Sequence, residues 1–325
     1  MNKKIVTILI ISTGFLLNAC QKNIDIFVPD QGQLNGPDTS WYTSITPVMP
    51  VSVLKNNLVF ETYTDSIQVN SNTAYILTPF GLQCGFPPNS CVNSSGQPVT
   101  GTVRVELMLI KKKGDMVRLN RPTTSNSRLL VSGGEIFIRL KKDTQNLQLA
   151  PNLKITFRYP DAPLITQMKV FVGDESNSNQ FNWLPSPDPI NNTVSITSQN
   201  YDILTNHLRW LNNGYFYDTT GISRTTITAD LSSQFTNANT LAFVVFKDFR
   251  SVVAMNANLL TRKFSSIKLP VGKEITVIVI SRQGNDYFMD HKTVMTVSST
   301  AANQIVPVKP VITNLTLIKD YLNGL

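Results

Sequence analysis

The chain has 325 residues, 42% of them apolar and 15% charged, with 29 Lys and Arg against 21 Asp and Glu for a formal charge of +8. Its Val, Ile, Leu and Phe content is enough to bury two cores of ordinary domain size. The basic excess is mild and dispersed, which argues against nucleic acid, whose binding footprint gathers charges on one face and interleaves aromatic rings among them.

The chain opens with Lys3 and Lys4, a mostly apolar run over 5–17, and then Leu17-Asn18-Ala19-Cys20. A charged n-region, an apolar stretch short for a bilayer and a small residue before the cut are the marks of a cleaved secretory signal. The cysteine just after that cut resembles the lipobox of bacterial lipoproteins. The resemblance implies that Cys20 becomes the mature N-terminus and carries lipid on its thiol; an ordinary signal peptide cut nearby is the plainer alternative, since Asn18 stands where small or β-branched residues are commoner. Several acyl chains, each contributing about 0.8 kcal/mol per buried methylene, would hold the protein at its membrane. No later window offers ~18 consecutive apolar residues, so everything after Cys20 is expected outside the cytoplasm, in an outer-membrane lipoprotein that is periplasmic or surface-exposed. Loss of residues 1–19 removes Lys3 and Lys4, takes the charge from +8 to +6 and leaves 306 residues.

Residues 20–50 carry Pro29, Gly32, Gly36, Pro37, Pro47 and Pro50 and little periodic pattern, which predicts a lipidated tether, with room for a short strand near Trp41-Tyr42 docked on a first domain. Cys84 and Cys91 flank the Pro-rich loop Gly85-Phe86-Pro87-Pro88-Asn89-Ser90. With Cys20 lipidated they are an even pair, no histidine lies near them, and a disulfide is the expectation, with free thiols or half a metal site as the alternatives. From 51 to 159 the apolar period is two. In Val103-Arg104-Val105-Glu106-Leu107-Met108-Leu109 the odd positions are apolar and Arg104 and Glu106 share the wet face. The pattern recurs in 135–141 and 153–159, with Gly133-Gly134 before one start and Pro160 ending the last strand. Lys111-Lys112-Lys113, between a strand and Gly114-Asp115, is expected to be a solvated hairpin end. Such strands, with no helical period between them, predict an antiparallel sandwich.

Three strings, Pro87-Pro88-Asn89, the stretch Gly96-Gln97-Pro98-Val99-Thr100-Gly101-Thr102-Val103-Arg104-Val105-Glu106, and Leu129-Leu130-Val131-Ser132-Gly133-Gly134-Glu135, resemble the ZU5-like module of uncharacterised Bacteroidetes lipoproteins. The likeness covers about a hundred residues and extends loosely to Leu208-Arg209-Trp210-Leu211-Asn212 and Leu269-Pro270-Val271-Gly272. It implies a β-sandwich that serves mainly as an interaction or structural module. The self-cleaving His-Phe-Ser site of some ZU5 domains is not carried over, because the nearest string, Lys263-Phe264-Ser265, lacks the histidine and lies outside the matched region.

Residues 161–218 are rich in Asn, Ser and Pro and are expected to complete the first body, with Asn213-Gly214 as a tight turn. A second strand-rich domain over 219–325 follows. Its runs 241–246 and 275–280 are apolar on both faces and should be central strands, as in an immunoglobulin-like or transthyretin-like sandwich. Leu315, Ile318, Leu322 and Leu325 stand at helical spacing after Asn314, which predicts a short capped terminal helix. The fold class is therefore all-β: two antiparallel β-sandwich domains, 51–218 and 219–325, after the signal peptide and tether.

Chemistry is sparse. No nucleophile elbow, zinc-binding helix motif, phosphate loop or dinucleotide fingerprint occurs, and His207 and His291 are the only histidines. Asp286, Asp290 and His291 would not share one face of a strand, so no metal and no cofactor is expected. One aromatic group stands out: Trp210, Tyr215 and Tyr217 with Phe216, either a binding surface for sugars or a partner, or core beneath a sheet. The expectation is a non-enzymatic envelope protein held to the membrane by its N-terminal lipid, a structural or protein-interaction module with a protein partner in the envelope. The alternatives are a glycan-binding accessory lipoprotein of an outer-membrane uptake system and, third, an envelope hydrolase.

Overall fold

The structure, a computed structural model, describes residues 39–176, 181–298 and 303–325. The early tether and Cys20 lie outside them. Residues 39–325 form one compact unit built of antiparallel sheets, with a single parallel pair among the described residues, Arg224–Asp230 beside Asn303–Pro307.

The first pair of sheets is assembled where alternation is strongest. Strands Tyr63–Val69, Gly101–Ile110, Arg128–Lys142, Arg209–Phe216, Lys169–Asp174 and Asn182–Pro185 lie side by side in that order. They cover a second sheet ordered Thr193–Thr197, Asn200–Thr205, Ile155–Pro160, Gln83–Phe86 and Ala74–Leu77. Alternate residues of Ile155–Pro160 are buried and exposed without a break, so Ile155, Phe157 and Tyr159 meet Val103, Val105, Leu107, Ile136 and Ile138 from the facing sheet. Glu106 departs from expectation. It is buried, not wet, because Arg104, Arg139 and Lys141 from its own and the neighbouring strand close over it as ion-pair partners.

The second pair sets Asn256–Asn258, Lys263–Pro270, Arg224–Asp230 and Asn303–Pro307 against Val252–Ala254, Thr240–Phe246, Glu274–Gln283, Asp286–Met295 and Val311–Thr313. All seven residues of Thr240–Phe246 are buried, and the two faces go to different places. Ala242, Val244 and Phe246 join Val277 and Val279 inside the second sandwich, whereas Leu241, Phe243 and Val245 join Ile278 and Ile280 in a third apolar cluster outside it. The continuous apolar run thus marks a sheet covered on both sides.

That third cluster is a seam. It receives Phe137, Trp183 and Trp210 from the first sandwich, and three helices fill it: α1 (Pro50–Leu58), α2 (Lys113–Arg118) and α3 (Leu315–Asn323). Helix α1 replaces the strand expected from 51 onward, since Pro50 starts it and Val51, Leu54 and Leu58 fall on one face at helical spacing. Helix α3 begins at Asn314, whose side chain accepts the Leu317 N–H at 2.9 Å, and buries Ile318 and Leu322. Arg118 ties the three together, donating to the Leu58 carbonyl at 3.0 Å and to Asn323 Oδ1 at 3.0 Å.

The lysine run is no hairpin end but leads into α2, and although Lys112 is exposed each ammonium is tied to backbone carbonyls. Lys111 Nζ donates to the Pro160 carbonyl at 2.6 Å, Lys112 to that of Asn323 at 3.1 Å, and Lys113 to those of Phe246 and Lys247 at 2.6 and 3.1 Å. Asn213-Gly214 is no turn but a β-bulge inside Arg209–Phe216, where the register against Arg128–Lys142 slips by one. Trp41 and Tyr42 form no strand and dock on the second sandwich, not the first: Trp41 packs on Phe264 with ring centroids 5.2 Å apart, and the Asn237 amide bonds the Tyr42 backbone in both directions.

Candidate functional site

The aromatic group does not form one surface. Trp210 is 5% exposed, sunk in the seam beside Phe137 with Arg121 stacked 4.6 Å from its ring. Tyr215 packs against the first sandwich's core, and Tyr217 stacks on Phe249 at 4.9 Å against the second's. The disulfide expected between Cys84 and Cys91 is not formed in this structure. Both are free buried thiols within the first sandwich's apolar cluster, and burial pushes the pKa of each up, most strongly for Cys84, which leaves them packing groups rather than nucleophiles. Cys20 lies outside the described residues. Asp286, Asp290 and His291 sit on one strand, where the His291 ring stacks on Tyr321 at 4.4 Å and Asp290 accepts the Lys309 N–H at 2.7 Å. Among the described residues no three potential metal ligands come together.

A buried polar network, which the sequence did not announce, surrounds Ser132-Gly133-Gly134-Glu135. Gly134 has φ +151°, and a Cβ there would stand 2.8 Å from the Tyr159 hydroxyl, so only glycine admits that ring. The Tyr159 hydroxyl accepts from the Asn213 amide at 3.2 Å, Ser132 Oγ donates to Asn212 Oδ1 at 2.9 Å, and Arg250 donates to the Gly133 carbonyl at 2.8 Å and to Asp161 at 3.0 Å. Glu135 is fully buried, and neither carboxylate oxygen has a hydrogen-bond partner among the described residues. Burial raises its pKa well above the ordinary carboxylate range, against the smaller opposing pull of Arg121 and Arg250. The network braces the bulged strand against the second sandwich, since Ser251 and Thr123 also exchange bonds with backbone across the seam.

One side of the seam opens into a groove of about 640 Å³, within the range of small-ligand sites. Its wall takes Tyr42 from the segment before α1, Lys55 from α1, Asn120 from the loop after α2 and Asn256 from an edge strand, with the apolar Leu241 and Phe243. Lys55 is half-buried, and its pKa is lowered by burial and, secondarily, by the nearby Arg121 charge. The one carboxylate among the described lining residues, Asp174, is turned into its own loop, where it accepts the Ser176 N–H at 2.9 Å. A second recess, beside His207, differs in that its two arginines are already satisfied, Arg139 by Glu106 and Arg209 by Glu175.

No family model matches the chain, and no curated protein matches it.

Proposed function

We propose that this chain is a lipid-anchored cell-envelope protein, attached to the outer membrane through Cys20, whose folded part is a structural or protein-interaction module without catalytic chemistry. The observation that carries the reading is the N-terminal order of two lysines, a short apolar run and Leu17-Asn18-Ala19-Cys20. The resemblance of residues near 87–135 to ZU5-like modules of Bacteroidetes lipoproteins supports an interaction role. So do exposed apolar side chains along sheet edges, with Tyr75 and Leu77 65% and 73% exposed on the edge strand Ala74–Leu77 and Val311 and Ile312 65% and 66% exposed on another. Labelled palmitate should enter the wild-type chain and not Cys20→Ser; equal labelling of both, or of neither, overturns the anchor. Protease shaving of intact cells then separates surface from periplasmic display.

The groove favours a second reading, a glycan-binding accessory lipoprotein. Amide and hydroxyl groups beside apolar side chains suit sugar hydroxyls and ring faces better than they suit a wholly apolar ligand.

A further inference from the structure

Lys55 stands out as the one basic side chain among the described residues that line the groove, and the cations around it in the seam have partners of their own. Arg118 reaches Asp115, Arg121 and Arg209 reach Glu175, Arg250 reaches Asp161, and Lys113 is held by two carbonyls. Lys55 has no carboxylate within ion-pair distance among the described residues. It lies one helical turn after the buried Val51, so its stem follows that face inward and delivers the ammonium to the groove wall. Asp174, the one carboxylate among the described lining residues, is bonded instead to the Ser176 N–H. A half-desolvated ammonium facing an open cavity without a counter-charge is an arrangement that an anionic ligand improves, because the bond it would accept is charge-assisted and shielded from solvent.

The surroundings narrow the class of anion. A fatty acid would need a long apolar channel, yet the wall around Lys55 presents the amides of Asn120 and Asn256 and the exposed ring of Tyr42. Amides of this kind pair with vicinal hydroxyls, and a tyrosine ring covers the flat face of a pyranose. We propose that the groove binds an acidic saccharide, with Lys55 taking the sugar carboxylate, Asn120 and Asn256 taking hydroxyls, and Tyr42 stacking on the ring. The proposal rests on the glycan reading and adds the charge of the sugar and the residue that selects it.

The test is calorimetric titration of the full chain, solubilised in detergent, with a galacturonic acid oligomer, a galactose oligomer of the same length, and polyglutamate as an anion without sugar rings. The acidic oligomer should bind at least about tenfold more tightly than the neutral one and than polyglutamate, with affinity falling as salt rises. Lys55→Gln should remove that preference by about tenfold while Lys55→Arg retains it, and Asn256→Ala, at an exposed position on an edge strand, should weaken both sugars. Unchanged thermal unfolding of each variant keeps the comparison one of binding. Equal binding of acidic and neutral oligomers, unaffected by Lys55→Gln, overturns the acidic assignment and leaves the glycan reading standing. Equal binding of polyglutamate and the acidic sugar overturns the saccharide part, and no binding of either oligomer to folded protein overturns both readings.

Discussion

The interiors of the two sandwiches and the seam between them are built on different terms. Inside each sandwich, side chains such as Val105 and Phe157, or Val244 and Ile227, meet across facing sheets with little polar company. The seam mixes the same apolar volume with stacked cations and a buried acid: Arg121 lies over both Phe181 and Trp210, the Trp183 indole donates to the Pro122 carbonyl at 3.0 Å, and Glu135 is sealed in without a hydrogen bond among the described residues. Closed apolar cores give stability, whereas a seam with unmet polar capacity gives orientation and leaves room at its rim for a groove.

Substitutions break this comparison in order of size. Phe157→Ala, inside the first sandwich, should cost about 3–5 kcal/mol by leaving a cavity in a close-packed core, read as a fall in the denaturant midpoint at unchanged slope. Gly114→Ala attacks the seam instead. A Cβ there would stand 1.6 Å from the Leu322 carbonyl oxygen, so α2 and α3 must part, at a cost of roughly 1–3 kcal/mol. Faster hydrogen exchange confined to α3 and its neighbours would show it; an unchanged exchange map would mean that the two helices do not pack as described.

Glu135→Gln separates the regions by pH. The folded pKa of Glu135 lies above its unfolded value, so its contribution to stability is fully present below the ordinary carboxylate pKa and is lost as pH rises toward the folded value. The melting temperature of the wild type should therefore fall relative to Glu135→Gln between pH 5 and pH 8, and melting curves that run parallel across that range would contradict a buried, unpaired acid. Asn314→Ala is the smallest change, about 1 kcal/mol from loss of the α3 cap, and should appear as fraying of α3 alone in hydrogen exchange.

The same contrast explains what the sequence disclosed. Period-two strands such as Ile155–Pro160 were legible because each residue's environment repeats locally, and the two-faced burial of Thr240–Phe246 was legible as a continuous apolar run. The seam was not. Val51, Val53 and the residues after them fit a strand as well as a helix until Pro50 is placed at the first helical turn. Asn213-Gly214 has the composition of a tight turn, yet the pair serves a bulge whose cause, the Tyr159 hydroxyl and the glycines opposite, lies some fifty to eighty residues away. Lys55 carries no local signal either, because the groove is assembled from residues 42, 55, 120 and 256, and nothing near Lys55 in the chain tells that its ammonium has no counter-charge among the described residues. Trp210 was ambiguous for the same reason: core and binding surface differ only in what the second sandwich brings to it.

The claim that joins these observations is that the seam makes residues 39–325 one cooperative body. Scanning calorimetry of the full chain tests it directly. A single transition, with calorimetric and van't Hoff enthalpies equal and both sandwiches destabilised together by Gly114→Ala, is the predicted result. Two resolved transitions, with Gly114→Ala moving neither, would contradict it.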